Sequence, residues 1–467
     1  MGGGFFAVPP GTPGVLQIAR WDGLFWHSVG GGITAGVSVD ALATYDFGTG
    51  PRLYAGGGFS VMGGVPANGI ASWDGSSWSA LPGGGVTLGP FSPGFVKSLV
   101  VFNDGTGPAL YVGGSFASAG GTPANSIARF DGVSWSALGS GVSGPTIGTV
   151  RAMAVFDDGN GPALFVGGSF LTAGGLVVNH LARWDGLNWT AVGGGVSATF
   201  GTARVNALAV FDDGSGPALH VGGIFDQAGA VPVSNIARWD GTVWSSLGSG
   251  VQGEVNALGA FDLGNGSELV VGGLFQSAGG MPISYIAGWD GSTWHDIPNG
   301  STTPGLDGTV LALGSHDDGL GLQLFAGGWF QNPGGVSSPH VARLECPRPL
   351  AVSAMQPLGP GTSTYIRAGG LTPGNEYFIL YGSSPCPGPP GSGPLLGLCA
   401  ATPQDLQFLL LQLMNPLGSP AAHFIATNVD MSWGPILIPP LTVDALCLDV
   451  TGGLLSATSS VARMIIY

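Results

Sequence analysis

Along the first 345 residues apolar and polar side chains alternate in short runs, and Gly, Asp, Asn and Ser interrupt those runs at regular intervals. Alternation with a period of two puts every second side chain on one face, the mark of a half-buried strand. One unit shows the pattern. Val150–Phe156, Ala163–Phe170, Leu181–Asp185 and Asn188–Val192 read as four successive strands. Asp157-Asp158-Gly159-Asn160-Gly161 joins the first two, and a turn on Asp185-Gly186 joins the last two. Asp-Gly between alternating runs is a strong hairpin signal. No stretch before residue 345 has helical periodicity, so an all-β fold is expected.

The unit recurs. Its most regular stretch is Ile236-Ala237-Arg238-Trp239-Asp240-Gly241, followed by Trp244. Copies stand at Ile18–Trp26, Ile70–Trp78, Ile127–Trp135, Leu181–Trp189 and Ile286–Trp294, with a worn one at Val341–Glu345. Successive Asp residues fall at Asp22, Asp74, Asp131, Asp185, Asp240 and Asp290, separated by 50 (Asp240 to Asp290) to 57 (Asp74 to Asp131) positions. Four strands at this period match propeller blades better than helical solenoids. A Gly-Gly-x-Phe second strand appears seven times, ending at Phe6, Phe59, Phe116, Phe170, Phe225, Phe275 and Phe330. The third strand also appears seven times, the first and fourth six times each. Seven blades are expected, the first without its inner strand and the last without its outer one. A six-bladed ring is the alternative. Met1 falls within a repeat, so the natural chain is expected to begin further upstream.

The period stops at Cys346-Pro347-Arg348-Pro349. The chain therefore divides into residues 1–345, the propeller, and 346–467, a second domain. Strand-like runs there are Ala351–Met355, Ser363–Ala368, Glu376–Tyr381, Gln407–Leu413, Ala422–Thr427, Ala445–Val450 and Val461–Ile466. About seven strands with turns between them predict a β-sandwich.

Composition changes this picture in two ways. Gly and Pro, 88 and 35 residues, make about a quarter of the chain, but 44% of residues are hydrophobic and the glycines keep the period, which argues for order. Charged residues are 8%, against roughly 25% in an ordinary globular protein. A surface covered by Ser, Thr, Asn and Gly fits a secreted or surface-attached protein, although no secretory signal stands at the start. The net charge of −15 comes from 27 acidic and 12 basic residues, with Lys97 the single lysine. Nucleic acid is excluded as a partner, because phosphate binding needs Lys and Arg. The longest apolar run, Leu406–Met414, is too short to span a bilayer.

Candidate chemistry is sparse. The residues common to all repeats (Trp21, Asp22, Trp73, Asp74, Asp131, Trp184, Asp185, Trp239, Asp240, Trp289 and Asp290) are read as structural, with the tryptophans gluing blades together. Arg20, Arg129, Arg183, Arg238 and Arg343 stand two positions before the acid, on the same strand face, and are expected to pair with it or its neighbours. The acidic turns at Asp157-Asp158, Asp212-Asp213 and Asp317-Asp318 hold too few oxygens for calcium and are read as plain turns. The seven histidines show no metal-ligand spacing; no metal and no cofactor are expected. All four cysteines lie from Cys346 onward, and Cys386 with Cys399 could close a Pro/Gly loop as a disulfide. No Gly-x-Ser-x-Gly or Ser/His/Asp set is present, so catalysis is not expected. Loops from strand two to three, and from strand four to the next strand one, are expected to vary in length and to emerge on one face. On that face strand one begins with Asp40, Lys97, Arg151, Asn206, Asn256 and Leu311. This position varies while its neighbours do not, which makes Asp40, Lys97, Arg151, Asn206 and Asn256 the candidate ligand-binding residues.

Leu110–Gly114, Ile127–Asp131 and Trp135–Leu138 carry a resemblance to the kelch repeat and to the central propeller of galactose oxidase. The chain looks closer still to kelch-like repeats of large secreted or cell-surface proteins. The resemblance covers about three-quarters of the chain and implies fold class, not function. Galactose oxidase chemistry needs a Cys–Tyr cofactor at copper, and no cysteine precedes Cys346. Taken together, the expectation is a non-catalytic extracellular or surface-attached β-propeller that binds a protein or glycan through its variable face. The alternatives are a polysaccharide-acting enzyme at the channel mouth and a structural envelope or matrix protein.

Overall fold

The computed structural model describes residues 17–21, 26–89, 92–145, 147–262, 266–297, 305–317, 322–330 and 340–344, together with the backbone of eight strands between Ala351 and Ile466. Every regular element among the described residues is a strand, and none is a helix. The chain falls into two compact units. One comprises Met1–Trp21, Trp26–Ser315 and Leu324–Glu345; the other comprises Asp22–Phe25, His316–Gln323 and Cys346–Tyr467.

The first unit is a series of antiparallel sheets that follow one another along the chain. Sheet one holds Ile33–Tyr45, Arg52–Met62, Ile70–Trp73 and Trp78–Ala80 in that order, with Val65–Pro66 added to its second strand. Sheet two is Phe95–Asn103, Pro108–Ser115, Ile127–Phe130 and Trp135–Ala137. Sheet three is Thr149–Asp157, Pro162–Ser169, Leu181–Trp184 and Trp189–Ala191. Sheet four is Arg204–Asp212, Pro217–Ile224, Ile236–Trp239 and Trp244–Ser246. Sheet five is Val251–Asp262, Ser267–Ala278, Ile286–Trp289 and Trp294–His295. Sheet six has three strands, Thr309–Asp317, Leu322–Trp329 and Val341–Leu344. A hairpin of Ala19–Trp21 and Trp26–Ser28 precedes them all. The strands expected from alternation in the third unit are found within a residue or two. The second-strand copy ending at Phe6 lies outside the described residues.

Consecutive sheets pack face to face. Tyr54 and Ile70 of sheet one share a core with Leu110, Val112 and Phe130 of sheet two. Sheets two and three share Tyr111, Ile127, Leu164 and Trp189, sheets three and four Phe165, Leu181, Leu219 and Trp239, and sheets four and five Phe211, Ile236, Leu269 and Trp289. Ile18 and Val29, flanking the first hairpin, pack against Ile33, Phe59 and Trp78 of sheet one.

The Gly-Gly pair of each second strand answers two separate demands. A side chain on the first glycine (Gly113, Gly167, Gly222 or Gly272) would collide with Val150, Val205, Val255 or Val310 on the next sheet's first strand. A side chain on the second (Gly114, Gly168, Gly223 or Gly273) would collide with the backbone of its own sheet's first strand. One glycine lets the next sheet approach, and its neighbour accommodates an irregularity in its own sheet, described below.

The connection from the second strand to the third proves to be a small hairpin of constant length. Ser118–Ala119 pairs Thr122–Pro123, Thr172–Ala173 pairs Leu176–Val177, and Gln227–Ala228 pairs Val231–Pro232. In the first two the turn is Gly-Gly with both φ angles positive, at 55° and 80° for Gly120 and Gly121, the conformation that two-residue hairpins require. Each hairpin also pairs with the segment leaving the preceding sheet: Val86 and Thr87 with Ala119 and Ser118, Val142 with Ala173, Val196 with Ala228. The expectation of free loops varying in length is corrected for this connection. From Phe116 to Ile127, Phe170 to Leu181 and Phe225 to Ile236 the separation never changes, because the hairpin is part of the repeat.

In the second unit, one sheet orders Ala351–Met355, Thr364–Gly369 and Met431–Ile436. The other orders His423–Ile425, Glu376–Gly382, Leu441–Asp449 and Ala457–Thr458, with Ala462–Ile466 also on Leu441–Asp449. Met431–Ile436 and Ala457–Thr458 were not anticipated from the sequence. The expected strand Gln407–Leu413 and the proposed pair Cys386 and Cys399 lie outside the described residues.

Candidate functional site

Each of the five candidate ligand-binding residues occupies the same structural anomaly. The register of the first hairpin slips between Val39 and Ala41, Val96 and Ser98, Val150 and Ala152, Val205 and Ala207, and Val255 and Ala257. The residue left without a cross-strand partner is Asp40, Lys97, Arg151, Asn206 or Asn256. These are β-bulges, which break the alternation locally and re-aim one side chain. The second glycine of the Gly-Gly pair sits against this bulge.

Two further positions per sheet vary at the same place. One is the residue two before the bulge: Ser38, Phe95, Thr149, Arg204 and Glu254. The other is the x of Gly-Gly-x-Phe directly opposite: Gly58, Ser115, Ser169, Ile224 and Leu274. In sheet six, Trp329 takes the x position and the Thr309 carbonyl abuts Gly328, as the Thr149 carbonyl abuts Gly168. Trp329 is 72% exposed and Leu274 51%, unusual for large apolar side chains. The sequence reading missed Arg204, Glu254, Ser169 and Trp329; variation at x between fixed Gly-Gly and Phe was the signal that could have found them.

These groups meet across sheets. The Lys97 ammonium donates to Asp40 Oδ2 of the preceding sheet at 2.9 Å, and Ser38 Oγ donates to the same oxygen at 3.1 Å. Arg204 Nη2 reaches Glu254 Oε1 at 2.7 Å, and Asn206 Nδ2 donates to that oxygen at 2.8 Å and to the Val255 carbonyl at 3.0 Å. Asn256 Nδ2 donates to the Val310 carbonyl at 3.3 Å. Arg151 Nε donates to Ser169 Oγ at 3.1 Å. Lys97 and Arg151, on adjacent sheets, turn to different partners: Lys97 to Asp40 and Arg151 to Ser169. Burial and then the Arg204 charge hold the Arg151 pKa below the usual guanidinium value, with Glu254 acting in the opposite direction.

The repeat signature is structural in detail. The second Trp of each copy donates its indole N–H to a carbonyl at the exit of the preceding sheet or of the first hairpin. Trp78 bonds Val29, Trp135 Pro82, Trp189 Leu138, Trp244 Gly193 and Trp294 Leu247, all at 2.9–3.0 Å. The first Trp, or Phe130, stacks on it with ring centroids 4.9–5.4 Å apart. The signature Asp closes its own turn: Asp185 Oδ1 accepts from the amides of Leu187 at 2.8 Å and Asn188 at 2.7 Å. Such bonds, that from Asn188 foremost, depress the Asp185 pKa.

The arginines find their closer partners outside the signature. Arg129, Arg183 and Arg238 form ion pairs with Asp104, Asp158 and Asp213, Nε to Oδ2, at 3.3, 3.0 and 3.2 Å. These acids lie in the turn between the first two strands. Asp131, two residues after Arg129, is 3.9 Å away. Hairpin pairing brings the acidic turn beside the arginine, while the signature carboxylate is committed to backbone amides. The acidic turns divide their work: Asp157 accepts from Gly159 and Gly161 at 2.9 and 3.0 Å, and Asp158 holds Arg183. In sheet five the arginine is replaced by Gly288, and the space is taken by His295 Nε2 on Glu268 Oε2 at 2.5 Å. The hydrogen bond that His295 donates to the Glu268 carboxylate raises the His295 pKa to about 9.

Histidines elsewhere are parts of the scaffold. His180 and His340 occupy a left-handed position before each signature strand, with φ of 72° and 70°, shared by Gln17, Ser126, Asn235 and Tyr285. Main-chain bonds hold it: the His180 amide donates to Phe170, and its carbonyl accepts from Gly168. His220 is fully buried, and burial lowers its pKa to about 4. Among the described residues no group of three or more His, Cys, Asp or Glu is placed to hold a metal ion. No helix among them is long and apolar enough to cross a membrane.

No family model matches the chain, and no curated protein matches it. Among solved structures, one similar to it is by name the extracellular domain of a hybrid two component system, BT3049, of B. thetaiotaomicron. Identity is 11% over 93% of this chain and 56% of that one, with a TM-score of 0.29. Another is by name the extracellular domain of a one component system, BT4673, of the same organism. It shows 9% identity over 92% of this chain and 69% of that one, with a TM-score of 0.19. The chain spans little more than half the length of the first. At these scores the likeness carries no argument about fold or role.

Proposed function

We propose that residues 1–345 form a kelch-like β-propeller of seven blades, that 346–467 form an appended β-sandwich, and that the protein is a non-catalytic binding module of the cell exterior. Five complete sheets, a three-stranded sheet and a leading hairpin supply seven signature strands, which favours seven blades over six. The low charge content supports an exterior setting.

The observation that carries the binding role is the arc of bulges. Three positions per repeat change chemistry from sheet to sheet at one end of the first strands, while the Gly-Gly pair and the bulge beside them recur. Varied side chains on a repeated scaffold are how repeat proteins address a ligand. Purified full-length chain applied to a glycan array, with parallel pulldowns from extracellular material at physiological calcium and salt, tests this. A saturable partner lost on replacing arc residues is expected. Binding that survives replacement of Asp40, Lys97, Arg151, Asn206 and Asn256 together would place the site elsewhere.

An enzyme acting on polysaccharide is the second reading. Glycoside hydrolysis needs two carboxylates with separate protonation duties. In the arc, Asp40 is tied to Lys97 and Glu254 to Arg204 and Asn206, so both are held as ion-paired acceptors. Release of reducing ends from polysaccharide, abolished by changing Lys97 or Arg151, would restore that reading.

A further inference from the structure

The arc carries an imbalance. Asp40 neutralises Lys97, and Glu254 neutralises Arg204, but among the described residues no carboxylate forms an ion pair with Arg151. One positive charge is left over in a protein whose formal net charge is −15.

The geometry of that guanidinium is specific. Its Nε is engaged by Ser169 Oγ at 3.1 Å. Ser169 stands at the x position opposite Thr149, directly beside the bulge. A guanidinium held at Nε has its planar end free, where two parallel N–H groups match the two oxygens of one carboxylate. Arg204 on the next sheet is occupied by Glu254 and cannot serve in its place. Arg151 is solvent-accessible, so an external anion can reach it.

The remaining arc residues indicate what carries the carboxylate. Glu254, whose Oε1 holds Arg204 and Asn206, and Asn256 offer carboxylate and amide oxygens of the kind that read sugar hydroxyls. Further along the same register stand Leu274 and Trp329, both exposed, and the Trp329 indole offers a flat face on which a pyranose ring stacks. Density of charge is limited from the other side. With 27 acidic residues against 12 basic ones, a polyanion would be repelled wherever it extended beyond Arg151. A single carboxylate within a Debye length of about 8 Å at physiological salt meets mainly the local cation.

We propose that Arg151, aimed by Ser169, is the seat for the carboxylate of one uronic acid residue within an otherwise neutral glycan, whose hydroxyls are read by Glu254 and Asn256. This rests on the arc being the binding site and goes further by naming the ligand class.

The test uses a xylo-oligosaccharide carrying one glucuronic acid, and the same compound with its carboxyl reduced to the alcohol. Heparin and an acidic peptide serve as counter-probes, all titrated calorimetrically against the full chain. The acidic sugar is expected to bind, and the reduced sugar about 10- to 100-fold more weakly, the worth of one charge-assisted pair. Arg151→Gln is expected to abolish that discrimination with an unchanged melting temperature, Arg151→Lys to keep part of it, and Ser169→Ala to reduce it. Equal binding of the acidic and reduced sugars overturns the carboxylate seat while leaving the arc as a glycan site. Binding of heparin or the peptide alone, or of neither sugar, overturns the proposed ligand class; the array result separately decides whether the arc binds glycans at all.

Discussion

His220 is fully buried, where its ring is held neutral. It fills, in sheet four, the second-strand position that Tyr111 holds in sheet two and Phe165 in sheet three. Its centroid lies 5.5 Å from Phe211 at an interplanar angle of 57°, against 5.5 Å and 58° for Phe165 on Phe156. The protein thus already shows that this space accepts a phenyl ring. His220 is 0% exposed, and its pKa falls from 6.5 to about 4. The unfolded chain takes up a proton first as pH drops, so acid favours unfolding. Stability from this group is complete above pH 6.5 and is lost as pH falls from there toward 4. Between pH 8 and pH 5 the linkage relation gives a loss of about 2 kcal/mol. His220→Phe removes that liability. Urea unfolding of both proteins at pH 8 and pH 5, compared as a double difference, isolates it from the titrating carboxylates. The variant is expected to lose about 2 kcal/mol less than the parent across that interval. Equal losses in the two proteins would refute the assignment.

Three further outcomes follow from the scaffold. Trp189→Phe keeps a ring against Trp184 but removes the N–H that bonds the Leu138 carbonyl, which retains only its bond from the Gly141 amide; a stability loss of about 1–2 kcal/mol in denaturant midpoint is expected, and none would show the bond to be idle. Gly186 and Gly159 both have positive φ, at 104° and 90°, but a side chain at Gly186 meets the Asp104 carbonyl at 2.6 Å whereas one at Gly159 meets nothing. Gly159→Ala should therefore cost only the strain of about 1–2 kcal/mol and Gly186→Ala clearly more; equal melting shifts would contradict tight packing between the turns. His295, with a folded pKa near 9 above its ordinary 6.5, stabilises fully below pH 6.5 and loses that contribution as pH rises through 9. An NMR titration should place its midpoint near 9, falling toward 6.5 in Glu268→Gln; a parent midpoint near 6.5 would refute the pair.

Much of this was legible in the sequence because period-two alternation and Asp-Gly turns are local signals, and seven-fold repetition averages out their noise. The candidate arc was legible too, for a reason the sequence hides: position 40, 97, 151, 206 or 256 varies because it is the bulged residue. What escaped detection depends on contacts between distant segments. Arg129 stands two residues from Asp131 in the chain, yet its closer partner is Asp104 across two strands. Arg204 and Glu254 looked like loop residues because the segments leading to them differ between repeats. The second-to-third-strand connection looked variable because its residue types change, while its hairpin keeps one length. Met431–Ile436 contains Gly434-Pro435, which reads as a turn; the strand pairs on either side of these two residues, at Trp433 and Ile436, with an irregularity between.

The bulge has a consequence for how such a chain can change over generations. A residue in the ladder answers to a cross-strand neighbour and to the alternation of faces, so most replacements there disturb folding. The bulged residue answers to neither. Its identity is released from the fold once per repeat, while the Gly-Gly beside it keeps the release in the same place each time. The array therefore works as a row of interchangeable slots, in which acid, amine, guanidinium and amide have been exchanged on a single backbone. New specificities can accumulate one slot at a time, without passing through an unfolded intermediate design.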